Sequence, residues 1–286
     1  MVMAGVEMEQ KKNDKAGYNE HYKDSYSPLI ECSSKDEYLE RFRREGLSPY
    51  FRGGNTKGYV RGKAVETLLA AIGKSGHAPG DVRVLDAGCG QGELSVYLAS
   101  LGVHVVGVDI SEEARKASLA LAEAIGVADH CTFFAESLEN MSLKDESIDF
   151  VIGHASLHHF IKYEGVAAEL SRVLKSNGEM FFADSFGENV LYHVFHDKEQ
   201  MERLGDVILT KDLIERFFGG FQVELIPADW FVMLDKLFLK LTPKCATSFA
   251  RKLSALWWYL DRIVPNNRAT LFLCGAVMTH VRKTHG

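Results

Sequence analysis

The stretch VRVLDAGCGQGELSVYLA, Val82–Ala99, decides how this chain is read. Val82 to Gly88 is a short apolar run ending in an acid and a glycine, which has the length and content of a buried strand. The glycine-spaced turn opens a helix expected over Gly92 to Leu101. Glycines at 88, 90 and 92 allow a tight turn and a close approach of the backbone to a ligand. Working outward, HVVGVDI (His104 to Ile110) reads as a second strand. SEEARKASLALAEAIG reads as a helix, with Ser111 as its N-cap and acids in its first turn. CTFFAE (Cys131 to Glu136) and SIDFVIG (Ser147 to Gly153) are strands three and four. A helix at Glu164 to Leu174 leads to strand five, Gly178 to Asp184. This alternation predicts βαβ units and a parallel, doubly wound α/β sheet. Ligands then bind at the carboxyl ends of the strands. A helix at Thr210 to Phe218, a strand FQVELI (Phe221 to Ile226) and a long last strand ATLFLCGAVMTHV (Ala269 to Val281) complete the reading.

The chain of 286 residues has room for one large α/β domain with additions. A formal charge of −6 supplies no basic excess to neutralise phosphates, which argues against a general binder of nucleic acid or anionic membrane. Cys32, Cys89, Cys131, Cys245 and Cys274 are scattered, with no C-x-x-C pair. The start, MVMAGVEMEQKKNDK, is polar and has no apolar leader core. Reduced thiols in a cytoplasmic protein are therefore expected. No apolar run of about 18 residues is present, so no spanning helix is expected. Met1 to Asn19 read as a polar, mobile tail. Tyr22 to Ile72 read as partly helical and rich in aromatics, broken by RGGNTKG (Arg52 to Gly58). Near the C-terminus Phe249, Leu253, Leu256, Trp257 and Leu260 fall on one helical face.

The glycine turn carries chemistry as well as geometry. A dinucleotide-binding turn wants G-x-G-x-x-G, and here Glu93 stands at its last position. The spacing is instead D-x-G-x-G-x-G, with Asp86 ahead of the glycines. Asp86 would repel a pyrophosphate and attract a sulfonium and an amino group. The charge logic thus favours S-adenosylmethionine over NAD. Asp109 ends strand two, where a carboxylate can accept both ribose hydroxyls, with Ile110 beside it. Glu136, followed by Ser137, could accept from an adenine amino group. His154 falls at the tip of strand four, beside the expected sulfonium. Tyr18 and Tyr22 could close over the site, since an aromatic face attracts a cation. The plainer readings are a structural turn for the glycines, a helix-entry cap for Asp109, a solvated loop acid for Glu136 and simple packing for the tyrosines.

VLDAGCGQGELSVYLA, VVGVDIS, FFAESLENMSLKDESIDFVIGHASLHHF and LSRVLKSNGEMFFADSFGEN resemble the successive motifs of class I S-adenosylmethionine-dependent methyltransferases of type 11 or 25. The resemblance covers about Val82 to Asn189. It implies a seven-stranded Rossmann-like sheet whose last strand is antiparallel. It also implies that Gly88, Gly90 and Asp109 bind cofactor, that Glu136 and Ser137 flank adenine, and that His154 lines the methionine end. The family usually has Asp where Glu136 stands, one methylene shorter.

His158 and His159 are candidates for a general base that takes a proton from the acceptor. The alternative is structural packing, and many methyl transfers proceed by positioning and water exclusion alone. Catechol-type enzymes hold magnesium with acids ending strands four and five. Strand five ends in Asp184, but strand four ends in Gly153-His154, so no metal is expected. Arg52, Lys57, Arg61 and Lys63 read as a solvated face sooner than an anion grip. The segment from Trp230 to Val264 could wall an apolar pocket, form a homodimer face or lie on a membrane; a pocket wall is favoured.

The expected division is a lid over 1–60, the cofactor-binding core over 61–226, and a helical insert with the final antiparallel strand over 227–286. The expected activity is in-line methyl transfer to an O, N or C nucleophile of a small, lipophilic molecule of secondary-metabolite or isoprenoid type. The competing readings are a catalytically silent cofactor-binding protein and a NAD-dependent oxidoreductase. A protein or nucleic-acid methyltransferase is disfavoured by the lack of a basic stripe.

Overall fold

The computed structural model describes residues 2–47, 57–188, 207–228, 260, 271 and 274–283. Seven strands form one sheet. They are β1 (Arg83–Ala87), β2 (His104–Asp109), β3 (Cys131–Ala135), β4 (Ile148–His154), β5 (Leu174–Ser185), β6 (Phe221–Ala228) and β7 (Ala276–Lys283). Their order is β3-β2-β1-β4-β5-β7-β6. Strands β1 to β5 pair in parallel, whereas β7 runs antiparallel between β5 and β6. The order reverses direction between β1 and β4, which makes the carboxyl ends of these two strands the natural ligand crevice. Val84 to Ala87 in β1 and Val105 to Val108 in β2 are buried without interruption, as befits strands covered on both faces.

The described helices are α1 (Val2–Tyr22), α2 (Lys35–Gly46), α3 (Lys57–Ser75), α4 (Glu93–Ser100), α5 (Glu112–Ile125), α6 (Leu157–Phe160), α7 (Glu164–Val173) and α8 (Lys211–Phe217). One sheet face packs Val84, Ile152 and Phe181 with Leu68, Leu98 and Leu121 from α3, α4 and α5. The other packs Leu85, Val151 and Phe182 with Val166, Leu170 and Ile214 from α7 and α8. The expected caps form: Ser111 Oγ accepts from Ala114 N at 3.2 Å, and Thr210 Oγ1 from Leu213 N at 3.3 Å. Among the described residues no disulfide joins any two of Cys32, Cys89, Cys131 and Cys274. No helix among them is long and apolar enough to cross a membrane.

Three expectations need correction. The polar N-terminus is not a mobile tail but the 21-residue helix α1. Its polar residues make tertiary contacts that composition does not reveal: Asn19 Oδ1 accepts from Ser111 Oγ at 2.8 Å and from Glu112 N at 3.0 Å. The last strand begins at Ala276, not Ala269, and residue 271 is helical. Its partner β5 stops at Ser185, opposite Ala276, so no ladder exists for an earlier start. Strand five begins earlier than Gly178, because Leu174 already pairs with Ile148 before a register shift. Tyr50, Phe51, residues 52–56 and nearly all of the segment from 230 to 264 lie outside the described residues.

Candidate functional site

The turn after β1 is built on left-handed backbone at Gly88, Gly90 and Gly92, with φ of 76°, 52° and 76°. At Gly90 the requirement is doubled, since a Cβ there would sit 2.9 Å from Tyr22 Oη. The turn is pinned to its neighbours. Gly88 N and Cys89 N both donate to Val108 O, at 2.8 and 3.2 Å, and Gly90 O accepts from Ser118 Oγ at 2.7 Å. Asp109 ties the turn to β2: its Oδ2 accepts from Gly90 N and its Oδ1 from Ser111 N, each at 3.0 Å. Burial pushes the Asp109 carboxyl up, while backbone N–H groups of Ser111, Gly90 and Ile110 pull it back.

The carboxyl ends of β1, β2 and β4 open into a cavity of about 480 Å³, within the size range of small-ligand sites. Tyr22, Asp86, Gly88, Gly90, Asp109, Ile110, Glu136, Ser137, His154, His158 and His159, selected from the sequence, all lie on its wall. The described wall carries the carboxyl groups of Asp14, Asp86, Glu93, Asp109 and Glu136 against one guanidinium, Arg61. Asp86 is buried, and its Oδ2 accepts from Ser95 Oγ at 2.6 Å. Burial first, then the charge of Asp109, push its carboxyl up to about 6, against the pull of Ser95 and Arg61. Glu136 holds its own loop, accepting from Ser142 N at 2.8 Å and Ser142 Oγ at 2.6 Å. Any contact of Glu136 with adenine would use its remaining lone pairs.

Arg61 is not on a solvated face. Its side chain is 11 % exposed and pairs with Glu93 at 3.8 Å. Its Nε donates to Gly46 O at 2.6 Å, and its guanidinium lies 5.0 Å from the Phe42 ring centroid. Helix α3 turns this residue inward against α2, a placement that a run of basic residues does not reveal.

Helix α1 crosses the cavity mouth. Tyr163 Oη donates to Asp14 Oδ2 at 2.5 Å, Lys162 pairs with the same oxygen at 2.8 Å, and Lys11 pairs with Glu139. Tyr22 lies over Gly90, and its hydroxyl is pushed up by burial, then by the charges of Asp109 and Cys89. Tyr18 meets the His159 ring edge-on at 5.3 Å.

The tip of β4 holds the remaining polar groups. Ala155 follows His154 with φ of 51°, a left-handed conformation costly for a residue with a Cβ. It is held there by Ala155 N donating to Ala183 O at 2.8 Å. His158 Nδ1 is 2.6 Å from Asp184 Oδ1. Asp184 is buried, and Leu157 N reaches its other oxygen at 3.4 Å. The rings of His158 and His159 are 3.9 Å apart. Sequence reasoning weighed Asp184 only as a metal ligand and missed this pairing. It also missed Asp14, and it placed Arg61 on a solvated face sooner than in an anion grip. The readable signal for the pairing was that strands four and five are neighbours in this fold, with Asp184 at the end of one and His158 four residues past the end of the other. Among the described residues no group of three His, Cys, Asp or Glu side chains could hold a metal ion.

A carboxylate-rich crevice at the switch point of a seven-stranded sheet, with β7 antiparallel, is the architecture of class I S-adenosylmethionine-dependent methyltransferases. Residues 85–182 match the family model described as "Methyltransferase domain". The chain is 25% identical over 169 residues to the sterol 4-C-methyltransferase strm-1 of Caenorhabditis elegans, covering 59% of this chain and 47% of that one. It is 28% identical over 163 residues to the tRNA 5-carboxymethoxyuridine methyltransferase of Escherichia coli, covering 55% and 58%. The chain thus spans about half the length of these curated relatives. In fold it is similar to the geranyl diphosphate C-methyltransferase of Streptomyces coelicolor, with a TM-score of 0.54 and 15% identity, over 90% of this chain and 99% of that one.

Proposed function

We propose that this protein moves the methyl group of S-adenosylmethionine to an O, N or C nucleophile of a small lipophilic acceptor, in line and without a metal. The observation that carries the reading is the charge of the crevice, where five carboxyl groups face one guanidinium around a glycine turn. Such a wall suits a ligand bearing a sulfonium and an ammonium and repels a pyrophosphate. Bound there, the cofactor supplies an electrophilic methyl group on sulfur. Asp109 and Ile110 would hold the ribose, and Glu136 and Ser137 the adenine. Gly88, Gly90, Asp86 and His154 would hold the methionine end, with Arg61 taking its carboxylate. Helix α1, through Tyr22, would roof the site and exclude water. His158 and His159 are the candidates for proton removal.

A lipophilic acceptor is supported by the sequence spacing of Phe249, Leu253, Leu256, Trp257 and Leu260, which is an expectation from the sequence alone, and by the sterol named for one relative. A small molecule is preferred to nucleic acid because the chain is net acidic. The test is calorimetric titration with S-adenosylmethionine, S-adenosylhomocysteine and NAD, followed by an acceptor screen read by mass gain. Micromolar binding of the first two and methylation of apolar acceptors are expected. Binding of NAD alone would refute the reading, and turnover confined to polar acceptors would refute the lipophilic part.

A further inference from the structure

We infer that helix α1 is a hinged lid latched by ion pairs, and that release of this latch sets how fast the cofactor enters and leaves. The inference rests on the proposed methyl transfer and deepens it, because it names what controls access to that site.

Helix α1 supplies Asp14, Tyr18, His21 and Tyr22 to the cavity wall, so a ligand in the crevice lies against it. A helix that docks permanently buries an apolar stripe. On α1 the inward face is Lys11, Asp14, Tyr18 and Tyr22, spaced three and four residues apart, and none of residues 9–22 is buried. What holds the helix down is polar. Asp14 Oδ2 accepts from Tyr163 Oη at 2.5 Å and pairs with Lys162 at 2.8 Å. Lys11 pairs with Glu139, and its ammonium lies 5.1 Å from the Tyr163 ring centroid. The side chains of Asp14 and Lys162 are 13% and 14% exposed. Such pairs are shielded from salt in part and still respond to it.

The hinge is the turn that follows α1. Asp24 is exposed and left-handed, with φ of 53°, and Ser25 N donates to Tyr22 O at 3.0 Å. Past this turn the chain is anchored to the glycine turn and its helix. Ser25 Oγ accepts from Gln91 Nε2 at 2.8 Å, and the buried Ser27 donates to Glu93 Oε1 at 2.6 Å. Asp14 and Lys11 lie about 12 and 16 Å along the helix from Tyr22. The ion pairs therefore act at the far end of a lever whose near end is fixed. They hold the helix over an empty and a filled site alike, so weakening them speeds entry and exit together and leaves the ratio of the two rates nearly unchanged.

Surface plasmon resonance of S-adenosylhomocysteine on the immobilised full chain tests this, because it reads association and dissociation rates separately. This ligand carries one ammonium and one carboxylate and no net charge, so salt acts on the latch more than on attraction to the acidic crevice. Raising sodium chloride from about 0.05 to about 0.5 M is expected to raise both rates about threefold, with Kd within about twofold. Lys11 lies off the described cavity wall, so a change there reaches the ligand through α1. Lys11→Glu, which sets two like charges at Glu139, should raise both rates about fivefold at low salt, whereas Lys11→Arg should keep wild-type rates. Should Lys11→Glu fold poorly, the wild-type salt series decides alone. Rates that ignore both salt and Lys11→Glu would overturn the proposal. So would a rise in the dissociation rate alone with Kd weakened to match, since α1 would then be a ligand contact and not a gate. Absence of S-adenosylhomocysteine binding by the wild type at any salt would instead strike the methyl-transfer reading itself.

Discussion

Replacing Asp109 by Ala perturbs the group that joins the glycine turn to strand β2. The carboxylate accepts from Gly90 N and Ser111 N, each at 3.0 Å, and an alanine leaves both donors without it. An orphaned buried N–H costs about 1–3 kcal/mol, so the two together cost about 2–6 kcal/mol. Burial raises the Asp109 carboxyl, and removing a charge from that setting returns part of the loss. A net loss of about 2–4 kcal/mol is expected. For a chain of this size that lowers the unfolding midpoint on the order of 5–10 °C. The ligand should feel the change more than the fold does, because the turn loses its anchor and the ribose its acceptor. Affinity for S-adenosylhomocysteine is expected to fall at least tenfold. Asp109→Asn should lie between, since one amide oxygen can still accept while the amide nitrogen opposes the second N–H. Differential scanning calorimetry and titration calorimetry on the three proteins decide the matter. An alanine variant that melts and binds as the wild type does would refute the reasoning.

Other outcomes follow from the same geometry. Burial raises the Asp86 carboxyl from 3.8 to about 6, so the fold favours its protonated form. The stability it contributes is full at low pH and is lost as pH rises through about 6. Cofactor binding has the opposite sign, since a cationic ligand wants the carboxylate charged. Affinity should strengthen about tenfold between pH 5 and pH 7.5, and Asp86→Asn should flatten that profile in calorimetric titration. Arg61→Met removes the donor to Gly46 O and the partner of Glu93. It should cost about 2 kcal/mol in urea denaturation and weaken S-adenosylmethionine binding more than tenfold; unaltered binding would take Arg61 out of the site. Ala155→Gly relieves a left-handed alanine at φ of 51°. It should stabilise the fold by about 0.5–1 kcal/mol, and a lower denaturation midpoint would contradict the strain.

Much of the core was legible because its signals are local. Strands β1 to β4 lie within a residue or two of their expected bounds, since apolar runs bounded by acids, glycines and caps report burial directly. Ser111 and Thr210 cap their helices as read. The turn at Gly88 to Gly92 and Asp109 at the end of β2 were likewise readable, because spacing and residue type alone define them. The ends of β5 and β7 were not. Where they start depends on the length of the partner strand, which no window along one segment contains.

The sequence by itself therefore determined the sheet, the glycine turn and the acidic character of the crevice, all of which follow from periodicity and chemistry within short stretches. Only the tertiary structure decided the rest of the site. Tyr163 meets Asp14 across 149 residues of chain, His158 meets Asp184 across 26, and Arg61 turns inward onto Glu93. A polar residue looks the same in sequence whether it faces water or a buried partner. What separates the two cases is the desolvation that folding imposes and the partner that folding brings near.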